Sequence, residues 1–159
     1  MEIYTDGSCL VNPNGRGAWA FIVVGRNGEV FRDFGTSPST TNNRMEIEAV
    51  YNALLWIKQR RFVDVIIYSD SQYTVNSLTH WSKQRENSNW RKRFPNEDII
   101  VPAYLLLKEL KERNTKLKWV RGHNGNYWNE EADKLANNKA SSVSLKNQIR
   151  LKNPPSPQE

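Results

Sequence analysis

Four acidic residues lie at positions where the sequence pattern directs their side chains toward the interior or a sheet edge rather than into solvent. Asp6 and Asp70 each end an apolar, strand-like run, which predicts that both lie at the rim of a sheet. Glu46 precedes Val50 by four residues on an apolar helical face, so a helix would turn its carboxyl group toward the sheet. Asp133 lies in the first turns of a later predicted helix. The pattern therefore directs four carboxyl groups toward the interior or a sheet edge.

Each acid also has an ordinary explanation when it is considered alone. Asp70, beside Ser71, could cap a helix, and Asp6 could form a turn with the glycine that follows it. Glu46 could complement a helix dipole from the first turn. For any single acid this explanation is at least as good as a functional one, so the functional interpretation depends on all four acids converging.

Convergence would require a counter-charge. Four carboxylates about 4 Å apart would repel one another by roughly 10 to 20 kcal/mol in total, which is comparable to the stability of a small domain. Protonation could relieve this repulsion. However, an all-oxygen set without histidine or cysteine ligands is typical of hard divalent cations. The residue types therefore predict Mg²⁺ or Mn²⁺ rather than zinc, bridging the carboxylates to a phosphodiester.

Most of the positive charge lies in one segment, residues 80–93. Its five cations against one acid, Glu86, contribute 5 − 1 = +4 of the formal +6 of the chain. These cations are Lys83, Arg85, Arg91, Lys92 and Arg93. Trp81 and Trp90 are interleaved with them, and cations beside aromatic planes suit phosphate, sugar and base contacts. The alternative is a solvated charged helix with core tryptophans, but Asn87-Ser88-Asn89 interrupts the helix and favours a projecting arm.

His123 is the remaining residue that could take part in catalysis. It lies between Gly122 and Gly125 after the last predicted strand, in a loop rather than on an apolar face. A histidine there could shuttle protons near neutral pH. A loop histidine without a role remains the alternative.

The composition limits the class of protein. The 159 residues, 38% hydrophobic and 11% aromatic, suffice for one domain with its own core. The single Cys9 excludes a disulfide framework and a thiolate zinc cluster, and it favours a reducing compartment, so we expect a cytoplasmic protein. The longest apolar run, residues 99–107, contains Pro102, and no basic leader opens the chain, so we expect neither a membrane span nor a signal peptide. We also expect a monomer.

The net charge favours a polyanionic partner. Lys and Arg total 23 against 17 Asp and Glu, and the sequence pI is about 9.5. Nucleic acid is such a partner, although ribosomal or lipid-surface binding would require the same charge.

The elements that must position these residues follow from hydrophobic periodicity. We predict strands over residues 2–6, 17–24, 29–35, 63–68 and 117–120, and helices over 44–60, from near 71, after 98, and over 129–139. Asn27-Gly28 predicts a two-residue hairpin turn. The order predicts an α/β fold in which a mixed five-stranded sheet, with three antiparallel and then parallel strands, is flanked by helices. Residues 1–142 form the predicted domain, and residues 143–159, rich in proline, a flexible tail.

Taken together, these residues resemble the type 1 ribonuclease H family, its bacterial members in particular. The resemblance covers residues 1–142 and rests on several motifs in the same order and spacing. They are Tyr4-Thr5-Asp6-Gly7-Ser8-Cys9, Asn12-Pro13, Thr41-Asn42-Asn43-Arg44-Met45-Glu46, Ser69-Asp70-Ser71-Gln72-Tyr73, Gly122-His123-Asn124-Gly125 and Asn129-Glu130-Glu131-Ala132-Asp133.

The resemblance implies a ribonuclease H-like fold and an endonuclease that hydrolyses the RNA strand of RNA–DNA hybrids. It implies two Mg²⁺ ions, with Mn²⁺ as an alternative, and products with 5′-phosphate and 3′-hydroxyl ends. Asp6, Glu46, Asp70 and Asp133 match the metal-binding carboxylates of the family, and His123 matches its catalytic-loop histidine.

The resemblance also implies a set of substrate contacts. Asn12, Asn42, Asn43 and Gln72 match positions that line the minor groove, where the 2′-hydroxyl distinguishes RNA from DNA. The segment of residues 81–93 matches a basic protrusion that grips the DNA strand. Thr41 and Asn96 match a pocket for a DNA phosphate, but Ser39 stands where some bacterial members have arginine, which predicts a weaker pocket.

Two other functions remain open at this point. One is a different polynucleotidyl transferase on the same scaffold, of the resolvase or integrase type. Those enzymes normally lack the histidine loop and the basic arm. The other is a non-catalytic hybrid-binding module, which predicts a missing carboxylate, whereas all four are present.

Overall fold

The computed structural model describes residues 1–143. These residues form a five-stranded mixed sheet with helices packed against it. The strands are β1 (Glu2–Cys9), β2 (Gly15–Gly25), β3 (Gly28–Thr40), β4 (Ile66–Ser69) and β5 (Lys116–Trp119). The helices are α1 (Asn42–Arg60), α2 (Gln72–Asn76), α3 (Ser82–Asn87), α4 (Glu97–Leu110) and α5 (Tyr127–Ser142). A π-helical turn (Ser77–Trp81) joins α2 to α3, and a 3-10 turn (Lys111–Arg113) follows α4.

The strand order is β3-β2-β1-β4-β5, which confirms the predicted α/β fold class. The first three strands pair antiparallel, and β4 and β5 continue the sheet in parallel with β1. In this order β1 is the central strand. The carboxyl end of β4 therefore lies beside the middle of β1, next to the pair Thr5 and Ser69.

Helices cover both faces of the sheet because alternate residues of a strand point to opposite sides. Ile3 joins the larger apolar cluster, which holds buried residues of α1 and α4. Tyr4, the next residue, joins a smaller cluster with Ala132 of α5. Within residues 1–143, no helix combines the length and apolar character that a bilayer crossing needs.

The hairpin between β2 and β3 differs from the prediction by one residue. Arg26 and Asn27 form the connection, and Gly28 pairs with Gly25 as the first residue of β3. Gly28 has a φ of 114°, which glycine adopts without the steric penalty of a side chain. The Asn-Gly signal thus located the turn, but the glycine serves the strand rather than the connection.

Several other elements have different bounds from those predicted. The first three strands are longer, because pairing with neighbours extends them beyond their apolar runs. In contrast, β4 begins only at Ile66, since Val63 is exposed and Asp64 has a left-handed φ of 57°. Helix α1 begins at Asn42, where Thr41 accepts a hydrogen bond from the backbone of Arg44 as the N-cap. Apart from residue 143, the predicted tail lies outside the described residues.

Both ends of α5 also extend beyond the predicted residues 129–139. The helix begins at Tyr127, because Asn126 caps it by accepting a hydrogen bond from the Asn129 backbone amide. It continues to Ser142. The longer helix packs more than four turns along β1 and β2. This contact positions Asp133 of α5 beside β1.

Gly7 lets β1 approach α1 more closely than any other residue could. A Cβ atom at this position would lie 2.3 Å from the backbone nitrogen of Glu46 and 2.4 Å from the carbonyl carbon of Met45. Neither backbone atom can move without shifting the start of α1. The close approach brings the second turn of α1 against the strand that carries Asp6.

We expect Gly7→Ala to destabilise the protein by about 3 kcal/mol, because overpacking against backbone atoms cannot be relieved by a rotamer change. Gly25→Ala is the matched control, since its Cβ would meet the end of the Val30 side chain at 3.3 Å and the Gly28 carbonyl oxygen at an ordinary 3.9 Å. We expect this control to change the free energy of unfolding by less than about 1 kcal/mol. Urea unfolding of both variants measures the difference, and equal losses would contradict the role assigned to Gly7.

Candidate active site

Three of the four predicted acids come together at the carboxyl end of β4. Asp6, Glu46 and Asp70 each offer a carboxylate oxygen, and these three atoms lie within 4.8 Å of one another. Asp6 comes from β1, Glu46 from the second turn of α1, and Asp70 from the residue after β4. Parallel pairing of β1 with β4 and the close approach at Gly7 bring the three elements together.

Asp133 of α5 completes the group from the opposite side. Its carboxyl group raises the pKa of Asp6, and it lines the same open cleft as the other three acids. His123 lines this cleft as well. Thus the fold brings together all five residues for which we predicted a chemical role from the sequence.

The ordinary explanations for the individual acids do not describe the structure. Ser71, not Asp70, caps α2 by accepting a hydrogen bond of 3.1 Å from the Thr74 amide. The first turn of α1 contains no acidic residue, and Glu46 lies beyond it. Asp6 lies within β1, paired with Ala20, rather than in a turn. None of these three acids therefore has the capping, turn or helix-dipole role that its sequence neighbours suggest.

Burial makes two of these carboxyl groups unusually reluctant to ionise. Asp6 is 3% exposed and Glu46 is 9% exposed. Desolvation raises the pKa of Glu46 to about 8, with the charges of Asp70 and Asp133 adding to the effect. Burial also raises the pKa of Asp6 well above its usual value, as does the adjacent charge of Glu46. Without a cation, the pair therefore retains at least one proton near neutral pH.

Neighbouring groups shift the pKa of Asp70 in opposite directions. Burial raises the pKa of Asp70 and so does the charge of Asp133, whereas a hydrogen bond from the Asn129 side chain and the proximity of His123 lower it. Gly122 lets the loop after β5 approach, since a Cβ there would lie 2.9 Å from Oδ2 of Asp70. The Trp119 indole nitrogen also donates a hydrogen bond of 3.2 Å to the Asp70 backbone carbonyl.

The donor set fits a hard divalent cation. Oδ2 of Asp6 and Oε2 of Glu46 are both buried and have no hydrogen-bond partner among residues 1–143. Buried acceptors without donors are costly, so these oxygens need either a proton or a positive charge. The three clustered ligand atoms of Asp6, Glu46 and Asp70 are all carboxylate oxygens, which is compatible with a divalent cation.

Two of the four predicted groove residues line the cleft. Asn42 and Asn43 line it, and Gln72 follows Ser71 at its edge. The Asn12 side chain accepts a hydrogen bond of 3.1 Å from the Asn42 backbone amide, while the Asn42 side chain accepts one of 2.8 Å from the Cys9 amide. These bonds connect the β1–β2 loop to the start of α1.

Thr41 and Asn96, which we predicted to hold a DNA phosphate, directly precede α1 and α4. The Thr41 hydroxyl accepts the α1 capping bond, and the Asn96 amide contacts the Tyr73 hydroxyl at 3.5 Å. Ser39 is exposed and donates a hydrogen bond of 3.2 Å to the Asn14 carbonyl, so it brings no cation to the pocket.

The basic arm (residues 80–93) is tied to α4 rather than fully extended. Glu86 accepts hydrogen bonds from Lys108, at 2.9 Å, and from the Tyr104 hydroxyl, at 3.1 Å. Trp90 packs against Phe94 and Tyr104, so it anchors the arm and is only partly available to a ligand.

The cations of the arm differ in exposure. The Arg85 guanidinium lies 3.8 Å from the centroid of the Phe94 ring. Arg93 forms an ion pair with Glu97 at 3.0 Å. Lys83, Arg91, Lys92 and Arg93 are exposed, and Trp81 is 36% exposed. The arm therefore combines a rigid base with cations that can reach a polyanion.

Three residues at the site had no predicted role. Asn129 contacts Asp70, and Ser8 and Asn137 line the cleft. Spacing could have indicated them, because Asn129 and Asn137 lie four residues before and after Asp133 on one helical face. Ser8 follows Asp6 by two residues, which places both side chains on one face of β1.

Comparison with known proteins gives a consistent result. A family model described as RNase H matches residues 1–141. A protein named Ribonuclease H from Bordetella avium is 38% identical over 148 residues, which cover 90% of this chain and 92% of that protein. One from Cupriavidus necator is 39% identical over 147 residues, covering 90% of this chain and 97% of the relative.

Solved structures share the fold. The chain is similar to LC9-RNase H1, a type 1 RNase H with the type 2 active-site motif, with a TM-score of 0.74 and 26% identity. The match covers 89% of this chain and 72% of that chain. LC11-RNase H1, crystallised in complex with an RNA/DNA hybrid, matches with a TM-score of 0.68 and 19% identity over 91% of this chain and 99% of its own. At 19% identity this second likeness concerns the fold alone.

The raised carboxyl pKa values predict how stability depends on pH in the absence of metal. Unfolded carboxyl groups ionise near pH 4.5, whereas Glu46 ionises near 8 when folded. Between these values the folded state binds more protons, so the free energy of unfolding falls as pH rises. We expect Glu46→Gln to be as stable as the wild type near pH 4.5 and more stable near pH 8, by on the order of 4 kcal/mol.

Urea unfolding in EDTA across this pH range measures the difference between the two proteins. Glu112→Gln, at an exposed position after α4, is the control and should match the wild type at every pH. A pH-independent difference between Glu46→Gln and the wild type would show that burial of the Glu46 charge does not limit the stability of the metal-free protein.

Proposed function

The chain belongs to the RNase H family, and we propose that it is an endonuclease that hydrolyses the RNA strand of RNA–DNA hybrids. Cleavage leaves 5′-phosphate and 3′-hydroxyl ends, and two Mg²⁺ ions support it. The observation that carries this proposal is the convergence of Asp6, Glu46, Asp70 and Asp133 in one cleft, with buried carboxylate oxygens that lack donors.

The four carboxylates hold the metal ions. Glu46, Asp70 and Asp133 all raise the pKa of Asp6, so Asp6 would be a ligand that any bound divalent cation neutralises. When bound, divalent cations polarise the scissile phosphate, acidify the attacking water and stabilise the leaving 3′-oxygen. The protein contributes fixed ligand positions. Asn129 hydrogen-bonds the Asp70 side chain, and the Trp119 indole hydrogen-bonds the Asp70 backbone. The close approach at Gly7 restrains the backbone near Asp6 and Glu46.

His123 supplies the proton-transfer group. It is exposed at the cleft, and its proximity lowers the pKa of Asp70. From this position its imidazole nitrogen could accept a proton from the reacting water or deliver one to the leaving oxygen. Its loop position between glycines leaves room for product to leave.

Substrate recognition divides between amides and cations. The side chains of Asn12, Asn42, Asn43 and Gln72 offer donors and acceptors to minor-groove edges and 2′-hydroxyls, which read RNA without reading sequence. The arm contacts the backbone of the DNA strand with its exposed cations, and Thr41 and Asn96 hold one DNA phosphate. Because Ser39 supplies no charge there, the arm provides more of the electrostatic attraction.

All four carboxylates come from one chain, so we propose that the enzyme acts as a monomer, and its single Cys9 suits the cytoplasm. The family match argues against a resolvase or integrase. The complete carboxylate set argues against a module that only binds hybrids.

We expect Asp6→Asn and Asp70→Asn each to lower the rate of hybrid cleavage in Mg²⁺ by roughly 1,000-fold or more, because each removes a charged metal ligand without changing side-chain shape. Binding of a labelled hybrid in Ca²⁺ should change by no more than about threefold. Asp33→Asn, at an exposed position of β3, is the control. Retention of more than a tenth of the activity by either ligand variant would overturn the metal-site assignment.

We expect replacement of Arg91, Lys92 and Arg93 by alanine to raise KM for the hybrid roughly tenfold with little change in kcat, because phosphate contacts supply non-specific affinity. The slope of log KM against log salt should fall by about 2 to 3. The control variant replaces three exposed cations that lie away from the carboxyl end of β4, namely Arg26, Lys111 and Lys116. It removes the same number of positive charges as the arm variant and should leave the salt slope unchanged. The same salt slope in both triple variants would rule out a role for the arm in binding.

A further inference from the structure

The contact between β1 and α5 has a regular spacing that extends beyond the metal ligands. Alternate residues of a strand lie about 6.6 Å apart, and residues four apart on a helix lie about 6 Å apart along its axis. Side chains from the two elements therefore meet in successive pairs. Asp6 meets Asp133 in one pair, and Ser8 meets Asn137 in the next.

The second pair is built to present an amide to the cleft. The Ser8 hydroxyl, 8% exposed, donates a hydrogen bond of 2.5 Å to Oδ1 of Asn137. This bond orients the amide and leaves Nδ2 as a free donor, with no acceptor among the residues that the structure describes. Both residues line the cleft beside the carboxylates. Asn137 itself is exposed, so a ligand can reach it.

From this geometry we infer that Asn137 is a substrate-positioning residue that donates a hydrogen bond from Nδ2 to a phosphate oxygen of the RNA strand, one nucleotide away from the scissile phosphate. The inference rests on the proposed function. One step between side-chain pairs, about 6 Å, is comparable to the distance between successive phosphates of a nucleic-acid strand. Phosphate is the preferred partner because the amide offers donors, and a strand bridged to the carboxylates by cations must pass the neighbouring pair. Ser8 acts through Asn137 by fixing its orientation.

The test compares Asn137→Ala with Asn138→Ala in the full chain. Asn138 is the next residue of the same helix and is exposed, but it does not line the cleft. We expect Asn137→Ala to raise KM for the hybrid roughly tenfold with kcat changed by less than about twofold, and Asn138→Ala to match the wild type. Alanine favours a helix more than asparagine does, so neither variant should lose thermal stability.

Three further variants distinguish a positioned donor from general packing. Asn137→Asp should raise KM more than Asn137→Ala, because a carboxylate would face a phosphate. Ser8→Ala should raise KM by roughly two- to threefold, through loss of orientation. The double variant Ser8→Ala/Asn137→Ala should be no worse than Asn137→Ala alone, since Ser8 has no effect without the amide. Independent, additive effects would contradict the proposed role of Ser8.

Hybrids that carry one neutral methylphosphonate identify the contacted group. We expect one substitution next to the cleavage position to raise KM for the wild type but not for Asn137→Ala. Equal KM values for Asn137→Ala and Asn138→Ala would overturn the inference, as would an Asn137→Ala variant that remains sensitive to every methylphosphonate. A hybrid with single 2′-deoxy substitutions serves as the comparison, and loss of its effect in Asn137→Ala would assign the contact to a 2′-hydroxyl instead of a phosphate, which also overturns it.

The outcome is separable from that of the proposed function. If the wild type binds hybrid in Ca²⁺ but does not cleave it in Mg²⁺, the proposed nuclease activity is wrong. The ratio of dissociation constants of Asn137→Ala and Asn138→Ala in Ca²⁺ then still decides this inference. Absence of hybrid binding by the wild type would overturn both.

Discussion

Mutual repulsion among buried carboxylates is the constraint on which the rest of the structure depends. At 4.8 Å, a pair of unit charges costs about 3.5 kcal/mol at an effective dielectric constant of 20, so three such pairs approach the whole stability of a small domain. The fold holds these groups together nonetheless, because Asp6, Glu46, Asp70 and Asp133 are supplied by four elements that the apolar clusters keep in place. Protons relieve the repulsion in the absence of metal, as the raised pKa of Glu46 indicates, and divalent cations relieve it more completely.

The same constraint explains how an acidic cleft can serve a basic protein. Carboxylates alone would repel a nucleic acid, and cations alone would bind one without chemistry. The chain separates the two tasks, since the acids lie at the carboxyl end of β4 and the exposed cations lie on the arm at the far end of α3. The continuous α2, π-helical turn and α3 connect the two regions over about 20 Å. Amides from Asn42, Asn43 and Asn137 line the same cleft as the acids and offer neutral hydrogen-bonding groups there.

The sequence predicted the fold class and the four acids because both depend on patterns that local physics dictates. Apolar runs and helical stripes indicated the elements, and acids at the ends of apolar runs stood out because burial of a charge is costly. Features that depend on tertiary contacts were harder to predict from the sequence. The hairpin prediction was wrong by one residue because Gly28 pairs with Gly25. The anchoring of Trp90 on Phe94 and Tyr104, and the meeting of Ser8 with Asn137, join residues far apart in sequence or in separate elements, so no local pattern contains them.

The most direct test of the central claim is the number of protons released when Mg²⁺ binds, measured by isothermal titration near pH 7 in buffers of different ionisation enthalpy. If the carboxylates are held together by protons until cations replace them, binding should release about one proton, and Asp6→Asn should bind weakly or not at all. Mg²⁺ binding without proton release, or no binding to the wild-type protein, would contradict the account.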